Sequence, residues 1–229
     1  MYILYIMGGG LMQLVAMGAQ DVFLTGNPQI TFFKVVYRRH TNFSKECIKQ
    51  EFNGNPDFGK TVTCTLARNG DLVQEIYLKA TVTGAKDDVN NLVKSVEVEI
   101  GGQKIDKHYA AWLDIYNELF ETNIDYLQQM TVGSGTAGKR DVYLPLRFWF
   151  NRNAGLALPL IALQYHEVKI LVDINAEGAL QRYDGSTAAE VSNMCLLVNY
   201  VYLDTDERRR FAQVSHEYLI EQVQRENGE

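Results

Sequence analysis

The sequence is poor in cysteine and in histidine, and it has no excess of positive charge. Its three cysteines, Cys47, Cys64 and Cys195, lie far apart among 229 residues. Neither a disulfide framework nor a CxxC metal knuckle is therefore suggested, and a reducing compartment fits best. A net charge of −6 argues against broad electrostatic capture of nucleic acid, because such binding requires a basic face that displaces counterions.

Motifs of metal-dependent and nucleophilic catalysis are also missing. The four histidines never stand in HxH or HxxxH spacing; they are His40, His108, His166 and His216. A cupin-type metal site would require clustered histidines and a carboxylate on facing strands. The chain has no GxSxG motif for a nucleophilic serine. We therefore predict no enzyme activity, no catalytic residue, no metal ligand and no cofactor.

The amino-terminal region lacks the features of a membrane anchor or a secretory signal. Its first apolar run covers residues 1–7 and has no basic flank, and glycines at positions 8–10 and 18 interrupt the next residues. A spanning helix needs about 20 consecutive apolar residues. We expect residues 1–28 to form an arm that packs on a neighbouring molecule.

A glycine-rich stretch at residues 133–140, GSGTAGKR, matches GxxxxGK in part. Arg140 occupies the position at which a phosphate-binding loop carries the magnesium-binding Ser or Thr. A strand pattern comes directly after the stretch, whereas a phosphate-binding loop leads into a helix. We interpret it as a glycine-rich loop.

The residues that are abundant favour a large β domain. The hydrophobic fraction is 46% and the aromatic fraction is 11%, which is enough to bury a sizeable core. Apolar and polar residues alternate at 60–67, 76–83 and 95–100, as in half-buried strands. The pairs Asn69-Gly70 and Gly101-Gly102 each predict a hairpin turn after such a strand. Trp112, Ile115 and Leu119 recur instead at helical spacing, which predicts one inserted helix at residues 110–122.

The stretch at residues 143–171 organises the rest of the chain. It begins with an apolar run at 143–150 and ends within a second run at 168–174, and residues that break regular structure separate the two. We interpret them as two core strands. The cluster Phe148, Trp149 and Phe150 is expected to fill the core. Together with strands at 31–37, 43–52, 103–107 and 193–203, these predict an all-β, antiparallel jelly-roll sandwich of roughly eight strands.

The chain changes character after residue 204. Asp204 or Thr205 can cap a short helix whose first turn is acidic and which carries three arginines towards its end. Residues 216–224 then have the pattern of a further strand. We therefore divide the chain into an arm (1–28), a jelly-roll domain (29–204) and a hinge with the incomplete start of a second jelly roll (205–229).

Three long blocks resemble one known family. They are GGGLMQLVAMGAQDVFLTGNPQITFFKVVYRRHTNFS, LPLRFWFNRNAGLALPLIALQYHEVKI and YLDTDERRRFAQVSHEYLIEQVQ. In this order they are similar to the major capsid protein of the nucleocytoplasmic large DNA viruses. The resemblance implies a double jelly-roll protein that forms trimeric, pseudo-hexagonal capsomers in an icosahedral shell over an internal membrane. Two departures are a start at Met1 where the family suggests Met7, and a length that supplies one jelly roll and the beginning of the next.

The function expected from this resemblance is shell assembly in the host cytoplasm and residence in the virion. The partners would be other capsid subunits, as a homotrimer, and minor capsid proteins, without direct contact to nucleic acid and without spanning the inner membrane. Candidate assembly contacts are the arm, the inserted helix, the glycine-rich loop and the hinge. Within and beside these elements we single out Asp21, Arg38, Arg39, Trp112, Arg208, Arg209 and Arg210.

Three alternatives remain open. Asn42-Phe43-Ser44 is a glycosylation sequon, although an ordinary turn is the preferred interpretation because the first residues do not match the pattern of a signal peptide. A carbohydrate-binding jelly roll would use exposed aromatic and Asn or Asp side chains, for example Trp149 or the residues 183–185. A cupin-type enzyme is disfavoured by the histidine spacing.

Overall fold

Nine strands lie in the part of the chain that this computed structural model describes, which is residues 41–84, 89–121, 123, 125, 127, 129–130, 139–177 and 190–226. The strands are β1 (Phe43–Glu51), β2 (Thr61–Thr65), β3 (Leu72–Thr83), β4 (Val93–Ile100), β5 (Gln103–Tyr109), β6 (Lys139–Pro145), β7 (Leu158–Pro159), β8 (Val168–Ile174) and β9 (Glu190–Leu203). Helical segments include α1 (Ala110–Phe120), α2 (Trp149–Arg152) and α3 (Thr205–Gln213), with 3-10 turns at Val89–Leu92 and Ala154–Leu156. The predicted strand at 31–37 lies outside the described residues.

The strands form two antiparallel sheets. The first sheet has the order β1-β9-β3-β6, with β7 paired to β3, and the second sheet has the order β2-β8-β4-β5. The first and last of the described strands, β1 and β9, are neighbours, and the chain passes back and forth between the sheets. This pairing is the Greek-key arrangement of a jelly roll, so the predicted fold class is confirmed.

The core lies between the two sheets. Alternation places every second side chain on the inner face, as the pattern of β8 shows, in which buried and half-buried residues alternate along the whole strand. Leu78 and Leu196 from the first sheet and Val98 and Ile170 from the second are 0% exposed. The sandwich is therefore held mainly by aliphatic packing between sheets.

One of the two predicted hairpins is present. β4 and β5 pair directly, with Ile100 opposite Gln103. Gly101 and Gly102 between them have φ angles of +58° and +81°. A tight hairpin turn with positive φ at both central positions suits glycine, since it has no Cβ to clash.

The other predicted hairpin, at Asn69-Gly70, is wrong. β2 pairs with β8 in the second sheet, whereas β3 pairs with β9 and β6 in the first. The chain therefore crosses between sheets at this point instead of turning back. Gly70 serves packing: a Cβ there would lie 2.7 Å from Cβ of Tyr200, far inside van der Waals contact.

The predicted strand at 143–150 is also wrong in its second half. β6 ends at Pro145, and Trp149–Arg152 forms a helical turn. The Asn151 side chain accepts a hydrogen bond from the Phe148 N–H at 3.2 Å, and the Asn151 N–H donates to the Phe148 carbonyl at 2.9 Å. This local capping competes with strand pairing. The aromatic cluster is nevertheless buried, with Trp149 only 3% exposed, so its predicted place in the core is confirmed.

The carboxyl-terminal region contains one further departure. Residues 216–224 do not form a strand, because they make no backbone ladder with any described strand. α3 forms as predicted, and Asp204 caps it by accepting a hydrogen bond from the Thr205 N–H at 2.7 Å. β9 begins at Glu190, earlier than the predicted 193, and Asn193 adopts a positive φ of 49°.

Candidate assembly surfaces

Helix α1 presents apolar side chains to solvent. Its inner side buries Leu113 and Asn117, while Ile115, Leu119 and Phe120 are 50%, 70% and 62% exposed. We call these three residues the α1 apolar face. Within the described ranges, no helix is both long enough and apolar enough to span a membrane.

Aromatic and cationic contacts hold α1 against the sandwich. The rings of Trp112, Tyr116 and Phe120 form a row, with centroids 6.0 Å and 4.8 Å apart. Arg147 and Arg152 lie over the Tyr116 ring at 5.2 Å and 5.3 Å, within the range of cation–π attraction. Trp112 is half-buried and packs against the core. Its role as an assembly contact stays a prediction.

The three arginines of α3 lie in different environments. Nε of Arg208 is 3.0 Å from Oδ1 of Asp71, a residue that is 8% exposed. The other carboxylate oxygen of Asp71 accepts a hydrogen bond from the Leu203 N–H at 2.8 Å. All three arginines are exposed, and Arg208 ties α3 to the sandwich through its ion pair with Asp71. Arg209 and Arg210 remain predicted assembly contacts.

Residues 221–225, which we call the strap, run beside β5. The Gln222 side chain donates to the Ile105 carbonyl, and the Val223 N–H donates to Oδ1 of Asp106 at 3.0 Å. Sequence reasoning missed these contacts, since it expected a strand here. The available signal was the spacing of Asp106 and His108, which places both side chains on one face of a strand.

Asp106 and His108 form a buried pair. His108 Nε2 is 2.8 Å from Asp106 Oδ2, and the two side chains are 1% and 0% exposed. Burial alone would raise the pKa of Asp106, but the His108 ring and the N–H groups of Val223 and Lys107 outweigh it, so this pKa is lowered from its ordinary value. Asp106 is therefore held as a carboxylate.

A groove of about 460 Å³ separates α3 and the residues after it from the loop that follows β7. Its lining includes Tyr165, Phe211, Val214 and His216. Tyr165 is 93% exposed and Val214 is 53% exposed. The His216 ring stacks on Phe211 with centroids 4.9 Å apart. The groove is mainly apolar. It is therefore a second exposed apolar surface of the domain, beside α3.

Several predicted site residues lie outside the described ranges. These are Asp21, Arg38 and Arg39, together with the arm at 1–28, most of the glycine-rich loop and the residues 183–185. Asn42 is described and exposed. Trp149 is buried, so its proposed use as an exposed sugar-binding platform is wrong. Among the described residues, no group of three or more His, Cys, Asp or Glu could hold a metal ion.

Comparisons with known proteins agree with the topology. A family model described as the major capsid protein N-terminus matches residues 31–204. The major capsid protein of Pyramimonas orientalis virus is 58% identical over 236 residues, covering 95% of this chain and 59% of that protein. The major capsid protein of Paramecium bursaria Chlorella virus 1 is 50% identical over 232 residues, covering 95% of this chain and 53% of that protein.

Solved structures agree as well. A quasi-atomic model of the PBCV-1 virus capsid matches with a TM-score of 0.74 and 44% identity, covering 85% of this chain and 50% of the other. The Faustovirus major capsid protein matches with a TM-score of 0.62 at 12% identity, covering 88% of this chain and 62% of the other, and so supports the fold alone. The chain spans 53% to 59% of the length of the two relatives described above. It belongs to the major capsid protein family of large DNA viruses.

Proposed function

We propose that this chain is a structural component of an icosahedral virus shell and that it acts by packing against other capsid subunits. The observation that carries this proposal is the jelly roll matched at 44% identity by a protein of the PBCV-1 capsid. The expected assembly is a homotrimer that forms a pseudo-hexagonal capsomer. Minor capsid proteins are further partners, and assembly takes place in the host cytoplasm.

The α1 apolar face supports a role in subunit packing. Its three side chains are each at least half exposed. The helix that carries them is fixed in place because Arg147 and Arg152 lie over the ring of Tyr116. Exposed apolar side chains on an element that is packed against the domain are typical of protein interfaces. A stable interface of about 1,600 Å² would need further contacts. Arg209 and Arg210 of α3 are our further candidates for polar contacts with other subunits.

The domain division follows from the same proposal. Residues 1–28 serve as the arm, residues 29–204 as the first jelly roll, and residues 205–229 as the hinge and the start of a second jelly roll. α3 and the residues after it are mostly exposed and lie outside the core of the sandwich. This position supports a connecting role for the region.

The proposal assigns no catalytic residue, no contact with nucleic acid and no span of the inner membrane. The relatives are named as capsid proteins, and the chain is acidic, with a net charge of −6. A charged polymer of the same sign is not captured by such a surface without a local basic face. Adhesion between protein subunits is then the activity that remains.

The test is the mass of the protein in solution. Sedimentation velocity over a wide range of concentration should show association beyond the 26.0 kDa monomer. Phe120→Ser should weaken association, whereas Phe43→Ser, which removes a side chain of nearly equal exposure from β1, should leave it unchanged; the two exposures are 62% and 63%. A strictly monomeric, folded protein at high concentration would refute the assembly of this chain.

A further inference from the structure

The outer edge of β5 carries backbone groups that can accept a partner. β5 is the terminal strand of the second sheet among the described residues, paired on one side with β4. An open edge presents backbone N–H and C=O groups that can pair with another chain. The strap lies along this edge. Its contacts differ from a β-ladder, because side chains of one element meet the backbone of the other.

Three successive parts of the strap contact β5. The Gln222 amide meets the Ile105 carbonyl, the Val223 N–H meets the Asp106 carboxylate, and the Arg225 guanidinium lies 4.7 Å from the centroid of the Tyr109 ring. The order of these contacts is fixed, so the strap has one register on the edge. Neighbouring charges are those of Glu97, Lys104 and Lys107, which line the same shallow groove.

The Asp106 carboxylate is the central contact because it serves the core and the strap at once. Oδ2 lies 2.8 Å from His108. Oδ1 accepts hydrogen bonds from the N–H groups of Lys107 at 2.9 Å and Val223 at 3.0 Å. A carboxylate whose side chain is 0% exposed is costly to bury unless donors surround it. The strap supplies one of those donors.

The other end of the strap contacts α2. Arg152 pairs with Glu221 at 2.8 Å, but the Glu221 side chain is 67% exposed. Exposed ion pairs stabilise little, so this contact orients the strap more than it holds it. Helix α2 is itself joined to the buried pair, since the Phe148 ring before it stacks on His108 with centroids 4.5 Å apart.

We propose that the outer edge of β5 is a docking site for an extended peptide, that its occupant is the strap of the same chain, and that the Asp106 carboxylate selects this occupant. Docking fixes the direction in which the chain leaves the sandwich and covers an edge that would otherwise pair with other chains. This inference does not depend on shell assembly.

Limited tryptic digestion of the full chain tests the proposal. Val223→Pro removes the donor N–H and leaves every core side chain in place, because proline has no amide hydrogen. Cleavage after Arg225, which lies over the Tyr109 ring while the strap is docked, should become at least about tenfold faster, the change expected from losing one hydrogen bond to a charged group, while β3 and β9 remain uncleaved. Gln224→Pro is the matched control and should change strap cleavage far less. Equal effects of the two prolines would overturn the proposal.

A second variant tests the receptor side. Asp106→Asn keeps the shape of the side chain and an acceptor oxygen but removes the charge, so it should speed strap cleavage less than Val223→Pro does and more than Gln224→Pro does. The oligomeric state must be measured in parallel. The wild-type strap could be protected only at protein concentrations at which the protein is a dimer. That result would show that the occupant comes from a second copy, and it would overturn the assignment to the same chain.

Discussion

Replacing Asp71 with alanine should destabilise the domain by about 1.5–4 kcal/mol. One carboxylate oxygen accepts the Leu203 N–H at 2.8 Å in a part-buried site, and a hydrogen bond to a charged group contributes about 1.5–3 kcal/mol. The other oxygen pairs with Arg208, whose side chain is 57% exposed. Such an exposed pair adds about 0–1 kcal/mol. The backbone hydrogen bond is therefore the larger part of the loss.

The assay is urea unfolding followed by circular dichroism. Asp71→Asn retains an acceptor for the backbone N–H and loses the charge, so it should cost about half as much as the alanine variant. Arg208→Gln should cost no more than about 1 kcal/mol, and Arg209→Gln, on the same helix, is the control with no expected effect. A double-mutant cycle between positions 71 and 208 should give a coupling of about 0–1 kcal/mol.

One result would refute this reasoning. If Arg208→Gln destabilised the domain as strongly as Asp71→Ala, the ion pair would dominate and the backbone acceptor would be incidental. α3 would then depend on electrostatics across an exposed surface, and its attachment would weaken steeply with added salt.

Three further predictions concern buried polar groups. Tyr200→Phe should lower the free energy of unfolding in urea by about 0.5–1.5 kcal/mol, because the hydroxyl donates a part-buried hydrogen bond to the carbonyl of Ala67 at 2.6 Å; an unchanged midpoint would contradict this. The pKa of Asp106 in the folded protein is lowered from its ordinary value of 3.8. The stabilisation from this carboxylate is therefore complete above pH 3.8 and is lost as the pH falls through the lower, folded-state pKa. Asp106→Asn should flatten this acid dependence of the unfolding midpoint. A thiol reagent should label the exposed Cys47 in the native protein but Cys64 only on unfolding, since burial raises the pKa of Cys64 to about 11; rapid native labelling of both would be inconsistent with the fold.

Local patterns account for the elements that sequence reasoning placed correctly. The hairpin of β4 and β5 follows from alternation on both sides of Gly101-Gly102, and α1 follows from apolar residues at helical spacing. Each signal lies within a dozen residues, so neighbouring side chains alone decide the backbone conformation. The capping of Trp149–Arg152 by Asn151 is equally local. The sequence nevertheless predicted a strand there, because a run of aromatic residues is also typical of strands.

The sequence by itself determined the all-β class, the two-sided alternation that requires a sandwich, the burial of the aromatic cluster around Trp149, and the family through three long blocks. Only the tertiary structure decided which strands share a sheet, that Arg208 pairs with Asp71, and that the strap docks on Asp106. Apart from the hairpin of β4 and β5, those contacts join residues more than 50 positions apart. Their partners are selected by the packing of the whole sandwich, and no short pattern encodes that choice.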